Sequence, residues 1–427
     1  MHRFASRDGE LFCEDVPLCR IADNVGTPVY VYSADTIRGN FRRLNRAFEG
    51  IDHLICYAVK ANSNLAVLDL LAREGAGFDI VSGGELHRVI RAGGDPSSAT
   101  FAGVGKSEAE IELALRSGVY SLNVESEPEL DRIEKVAARI GVRAPVAVRV
   151  NPDVDAGTHE FISTGKSKNK FGIGLDRAEE VYARAAACPH LELRGVQTHI
   201  GSQILSPAPF AEAVAKLIPL VERLKANHGI SFFSVGGGVG IVYDEALASG
   251  DPAWWSSGAH PRRITPEDYA EAILPLLRPL GLRILFEPGR FLVGNAGALV
   301  TSVEYVKTTP AKKFVIVDAA MNDLIRPALY DGWHEVVPLN DAPGEAEEVD
   351  VVGPVCESGD FFAKARALPP LSQGDRLAIL SAGAYGAVMA SNYNTRPLAP
   401  EVLVEGADYR VVRNRQTYED ILAMESI

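Results

Sequence analysis

LICYAVKANSNLAVLDLLAREGAGFDIVSGGELHRVIRAGGDPSSATFAGVGKSEAEIELALRSGVYSLNVE, residues 54–125, decides the fold. It holds four short runs rich in apolar, β-branched and aromatic residues: LICYAV (54–59), GFDIV (77–81), TFAG (100–103) and SLNVE (121–125). Such runs read as strands, and the intervals between them carry helical patterns. SEAE (107–110) opens one helix-like segment, SEAEIELALRSG (107–118), as a Ser-x-x-Glu capping box. SEPE (126–129) fits the same box ahead of EPELDRIEKVAARIG (127–141). The alternation continues through VAVRVN (146–151), GVQTHIG (195–201), SFFSVGGG (231–238) and ILFEPG (284–289). Eight buried strands alternating with helices over roughly 250 residues predict a (β/α)8 barrel. A doubly wound sheet is the rival arrangement of the same elements. The last gaps are longer and leave room for loops at 152–170 and at 241–265, the second through Trp254 and Trp255.

Outside this stretch the pattern changes. TPVYVYS (27–33) reads as a strand. After residue 300 come VTSVEYVKT, KKFVIVDAAM, EEVDVVGPVC, RLAILSAGAYG and EVLVEGADYRVVR, with few helical stretches. The expectation is a barrel over 35–300 and a β domain, sandwich or barrel, built from 1–34 and 301–427. The N-terminal strand would join that domain and bring the chain ends together.

At 427 residues the chain exceeds one ordinary domain, and 47% apolar with 23% charged residues fits a soluble globular protein. Lys and Arg number 43 against 56 Asp and Glu, a net −13 that argues against nucleic acid as a partner. Five cysteines, at 13, 19, 56, 188 and 356, form no CxxC pair, so neither a disulfide framework nor a metal site is expected. MHRFASRDGELFCEDV lacks the apolar core of a signal peptide, and no run approaches a membrane span. A cytoplasmic protein away from membranes is expected.

Two motifs look like nucleotide sites. GVGKS (103–107) lacks the earlier Gly of a phosphate-binding loop, since position 100 is Thr, and is rejected. VGGGVGI (235–241) fails the dinucleotide fingerprint, whose last Gly falls on Ile241 or Tyr243. Three glycines after a strand still suit a nest of amides around a phosphate, or else a tight strand-to-helix turn. Lys60 ends the first barrel strand, where a desolvated amine could form a Schiff base. His199 ends a later strand, and EPGR (287–290) sets a carboxylate and a guanidinium at the last one. Each has a plain reading: surface lysine, packed core histidine, exposed ion pair. Together they place an amine, a flat ring, a phosphate nest and an acid at one barrel mouth. That set suits pyridoxal 5′-phosphate.

CYAVKAN, FDIVSGGEL (78–86), RVNPDVDAGTHEFISTG (149–165), KFGIG (170–174), THIGSQI (198–204), GGGVGI, EPGR, DAAMNDLIRPALY (318–330), GPVCESGDF (353–361) and GAYGAVMASNYN (383–394) closely resemble the diaminopimelate decarboxylases. These belong with alanine racemase and eukaryotic ornithine decarboxylase among pyridoxal-phosphate enzymes. The resemblance runs in order from about residue 26 to about 405. It departs only in small ways, at Asn169 and Val239. It implies a homodimer with active sites shared between subunits. It assigns Lys60 to the Schiff base and His199 to stacking on the cofactor ring. Ser202, Gly236, Gly237, Gly238, the backbone around Gly289 and Arg290, and Tyr385 would surround the phosphate, and Glu287 would pair with the pyridine nitrogen. Arg290, Arg326, Tyr330, Glu357 and Tyr385 would bind meso-2,6-diaminopimelate, with Cys356 and Glu357 given by the partner subunit. Cys356 or Lys60 could return the proton after CO2 leaves. Decarboxylation of ornithine, lysine or arginine, or a non-catalytic cofactor-binding regulator, are the alternatives.

Overall fold

The computed structural model describes residues 2–155, 170–257 and 263–427. Most of DAGTHEFIST, Asn169 and part of the 241–265 loop therefore lie outside the described residues. The chain forms two compact units: Asn40–Ile241 with Arg262–Phe291, and Met1–Gly39 with Val242–Pro261 and Leu292–Ile427.

The first unit is a barrel of eight strands. They are β1 (His53–Ala58), β2 (Gly77–Ile80), β3 (Ala99–Phe101), β4 (Ser121–Val124), β5 (Ala144–Asn151), β6 (Leu191–Gln197), β7 (Phe232–Ser234) and β8 (Arg283–Phe286). Each pairs in parallel with the next, and β8 returns to β1 through Ile284 opposite His53 and Phe286 opposite Ile55. That closing ladder excludes the doubly wound sheet, which would keep two open edges. Closure leaves every strand with two neighbours and no edge to protect. Cys56, Ala147, Phe232 and Leu285 form one cluster inside, from four different strands. Gly195 on β6 leaves room for the Phe232 ring; a β-carbon there would stand 2.6 Å from three ring atoms. The inward-facing residues thus fill the barrel and push the chemistry to its ends.

Local sequence sets the helices between the strands. Ser107 forms the expected capping box with Glu110 ahead of Glu108–Ser117, and Gly118 closes that helix at φ +71°. The helix Glu127–Ile140 departs from the same expectation. Ser126 accepts from the Glu129 amide, but the Glu129 carboxylate turns away to Lys106 and to the Glu125 amide. A buried ammonium outcompetes the cap because a charged partner gives the stronger hydrogen bond.

The second unit is built from β-sheet. In the order of pairing its main sheet runs Phe361–Leu368, Glu347–Val352, Lys313–Val317, Gly297–Thr308, Val29–Ser33, Glu401–Glu405 and Asp408–Arg413. Val29–Ser33 is the predicted N-terminal strand, antiparallel to Gly297–Thr308 and parallel to Glu401–Glu405. Arg376–Ile379 bridges Gly297–Thr308 to Val336–Pro338. Val29, Val31, Ala298, Val300, Val402 and Val404 meet in one core. Among the described residues no helix is long and apolar enough to cross a membrane.

Candidate active site

Lys60 follows β1 in the short turn Val59–Ala61. Its ammonium donates to Asp79 Oδ2 at 2.6 Å. The Lys60 side chain is 40% exposed and that of Asp79 only 1%. The amine is therefore held by an ion pair at the barrel rim rather than desolvated among apolar groups. The other oxygen, Asp79 Oδ1, is buried with no hydrogen-bond partner.

Glu287 leaves the end of β8 and is buried. Ser234 Oγ from β7 donates to one oxygen at 2.6 Å, and Gln197 Nε2 from β6 donates to the other at 2.9 Å. Both donors are neutral. Burial, with the negative charge of Asp79 adding to it, pushes the Glu287 carboxyl up to about 7. A cation beside it would restore its charge. The protonated ring nitrogen of pyridoxal phosphate is a cation of the right kind, so these residues fit that cofactor.

His199 follows β6. Its Nδ1 accepts the Gly237 amide at 3.2 Å. Burial, together with the positive charges of Arg149 and Lys60, holds the imidazole well below its usual pKa. The ring is neutral, a flat apolar face suited to stacking on another ring. The triple glycine is required by crowding. A β-carbon at Gly236 would collide with the Thr198 carbonyl, at Gly237 with the Glu287 carbonyl, and at Gly238 with the Gly201 carbonyl. No helix follows at once, contrary to the turn reading. The chain runs on through a bridge between Ile204 and Val239 instead. Arg290 begins the helix Arg290–Val293 and donates from Nη2 to Ser202 Oγ at 3.2 Å. Gly289 packs against Ala61, the neighbour of Lys60. The barrel therefore gathers Lys60, His199, Ser202, the three glycines, Glu287, Gly289 and Arg290 on its strand ends.

Sequence reasoning missed the groups that tune this set. Asp79, Gln197 and Ser234 are polar residues inside otherwise apolar strands, and that misplacement was their signal. Arg149 was also legible as a lone charge in VAVRVN. Its Nη1 reaches both Glu125 oxygens at 3.1 Å, and its guanidinium lies 4.9 Å from the centre of the Phe171 ring. Lys106 of GVGKS is fully engaged in structure. Its ammonium donates to the carbonyls of Gly103 and Asn123 at 2.8 Å each and to Glu129 at 2.6 Å.

The second unit carries the remaining residues. Arg326 is buried and starts the helix Arg326–Tyr330, whose last residue, Tyr330, is half-buried. Cys356 and Glu357 are exposed in a loop, with Tyr393 Oη donating to Glu357 Oε2 at 2.8 Å. Tyr385 holds a left-handed backbone at φ +56°. A bulky side chain in that conformation is strained, and such strain clusters at functional sites.

Residues 34–294 match the family of pyridoxal-dependent decarboxylases, pyridoxal binding domain, and that is the class of the barrel and its site. The chain is 50% identical to the diaminopimelate decarboxylase of Vibrio cholerae, over 98% of this chain and 97% of that one. It is 52% identical to that of Pseudomonas aeruginosa, over 100% of this chain and 99% of the other. The crystal structure of diaminopimelate decarboxylase from Helicobacter pylori complexed with L-lysine superimposes with a TM-score of 0.89. That enzyme is 43% identical, with 95% of this chain and 98% of that one covered. The chain belongs to the diaminopimelate decarboxylase family.

Proposed function

We propose that this protein decarboxylates meso-2,6-diaminopimelate to L-lysine and CO2 with pyridoxal 5′-phosphate, the last step of lysine formation. The observation that carries the reading is Glu287, a buried acid between two neutral donors on the same barrel rim as Lys60. Bound there, pyridoxal phosphate supplies the electron sink for the carbanion that loss of CO2 leaves at an amino-acid α-carbon.

The chain's own residues do the rest. Lys60 anchors the cofactor through its amine, with Asp79 holding that amine in place. Glu287 keeps a proton on the ring nitrogen through an ion pair that excludes water. His199 offers its neutral face to the ring. Ser202, Gly236, Gly237, Gly238, Gly289, Arg290 and Tyr385 receive the phosphate. Arg290, Arg326, Tyr330, Glu357 and Tyr385 bind the substrate. A guanidinium matches the distal carboxylate in geometry and charge, and Glu357 answers the distal ammonium. Cys356 or Lys60 returns the proton. The working form is a homodimer in which the partner subunit gives Cys356 and Glu357. Five free cysteines suit a reducing compartment, the cytoplasm.

Ornithine, lysine and arginine as substrates offer no second carboxylate to a buried Arg326. The test is to incubate purified holoprotein with meso-diaminopimelate and measure CO2 and L-lysine. Turnover of ornithine or lysine at comparable efficiency, or none of any substrate, would overturn the reading. Lys60→Ala should abolish turnover and the borohydride-sensitive absorbance of the bound cofactor while the fold persists.

A further inference from the structure

Arg326 does not stand alone in the second unit. Its helix ends at Asp331, which adopts a left-handed backbone at φ +48°. The Gly332 amide then donates back to the Arg326 carbonyl at 3.2 Å. A β-carbon on Gly332 would stand 3.0 Å from that same oxygen, so the return is tight. This turn brings His334, eight residues on, against the Arg326 side chain.

His334 is fully buried. Its Nδ1 lies 2.7 Å from the Leu380 carbonyl, and its Nε2 lies 2.6 Å from Arg326 Nη1. A carbonyl only accepts and a guanidinium only donates. The proton must therefore sit on Nδ1, and Nε2 must present its lone pair to Arg326. His334 is locked as one neutral tautomer. Its backbone is anchored beside the pairing of Val336–Pro338 with Arg376–Ile379, where the Leu380 amide donates to the Glu335 carbonyl.

A second group fixes the guanidinium from its face. The Tyr243 ring lies 4.6 Å from the guanidinium carbon and meets the His334 ring edge-on, at 5.2 Å and 82°. A cation over an aromatic face is held electrostatically, and the edge contact keeps the ring from turning. Arg326 is thus clamped by an in-plane acceptor and an aromatic face.

We infer that His334 and Tyr243 are positioning residues that set the orientation of the Arg326 guanidinium, and through it the preference for a ligand bearing a distal carboxylate. The inference rests on the proposed role of Arg326 in binding that carboxylate. Both residues contact the Arg326 guanidinium, and the inference has them act through it. Their effect lies in keeping a planar fork aligned, because a misaligned fork loses its paired hydrogen bonds.

The test compares two ligands of the holoenzyme by inhibition: L-lysine, and 1,5-diaminopentane, the same chain without the carboxylate. Arg326→Ala should collapse the preference for L-lysine; if it does not, the role of Arg326 is wrong, whatever His334 does. With that control in place, His334→Phe should cut the preference about tenfold or more, the scale of a hydrogen bond to a charged group. Binding of 1,5-diaminopentane and cofactor content should stay unchanged, with KM for diaminopimelate rising more than kcat falls. His334→Gln, whose amide oxygen can accept from the guanidinium, should restore most of the preference. Tyr243→Leu should lower it about threefold to tenfold, and Tyr243→Phe, which keeps the ring, should not. Equal losses for both ligands would mean a merely structural role and overturn the inference, as would an unchanged preference. If His334→Phe does not fold, an unchanged preference in Tyr243→Leu overturns it and a selective loss supports it.

Discussion

Glu287 concentrates the chemistry of the barrel rim in one carboxyl. Ser234 and Gln197 hydrogen-bond it without bringing charge, so burial raises it from the ordinary 4.5 to about 7. In the protein without cofactor this has a consequence for stability. A carboxyl whose pKa is raised by folding favours the folded state while both states are protonated, below about 4.5. The unfolded chain releases its proton first, so that contribution is lost as pH rises through about 7. Glu287→Gln removes the titration. Freed of cofactor, the variant should be more stable than the parent at pH 8, by up to about 3 kcal/mol, and should show no such gain at pH 4. Denaturant unfolding at the two pH values measures this. Loaded with cofactor, the same variant should lose most activity, because an amide cannot hold the ring proton by charge. A variant no more stable than the parent at pH 8, and fully active with cofactor, would remove Glu287 from the role proposed for it.

At the scale of elements, the strands were legible because each is a short, mostly apolar run set between helical patterns. Lys60, His199 and Glu287 were legible because the ends of such runs are where a barrel presents side chains. What escaped the sequence was the long-range choice among partners. SEAE and SEPE are alike as strings, yet only Ser107 and Glu110 close the box, because Glu129 has Lys106 within reach. Nothing in residues 126–129 announces an ammonium from another turn of the barrel. The strand-to-helix turn that was one of two readings of the triple glycine is absent for a similar reason, since Ile204 captures the chain through the Gly238 carbonyl and the Gly240 amide. Lys106 also shows how a nucleotide-like string can be purely structural. Lys106→Met would leave Glu129 buried without its cation, a loss that typically costs about 3–5 kcal/mol. The variant should unfold at clearly lower denaturant concentration while its folded fraction keeps cofactor content and KM. A selective loss of cofactor at unchanged stability would show that Lys106 does belong to the site.

On the scale of the whole molecule, neither unit is a continuous piece of chain. The chain passes between them at Gly39, Ile241, Pro261 and Phe291. Val29–Ser33 is sewn between two strands from the far end of the sequence, so no single cut would release either unit intact. Function must therefore be partitioned by mutating residues in the full chain, and the proposed homodimer allows it. Lys60 belongs to the barrel unit and Glu357 to the β unit, and the proposal puts the Glu357 of one subunit to work with the Lys60 of the other. Lys60→Ala and Glu357→Ala are each expected to be inactive as pure dimers. Mixed, dissociated and reassociated at equal amounts, about half of all dimers pair one variant with the other. In a two-fold mixed dimer one site collects both lesions, and the other joins an intact Lys60 to an intact Glu357. About a quarter of the wild-type activity should then return. Had each site drawn both residues from the same chain, every site would keep one lesion and mixing would restore nothing. Zero recovery, with subunit exchange verified by mass-tagged chains, would refute shared sites and leave the decarboxylase reading to be judged on its own assay.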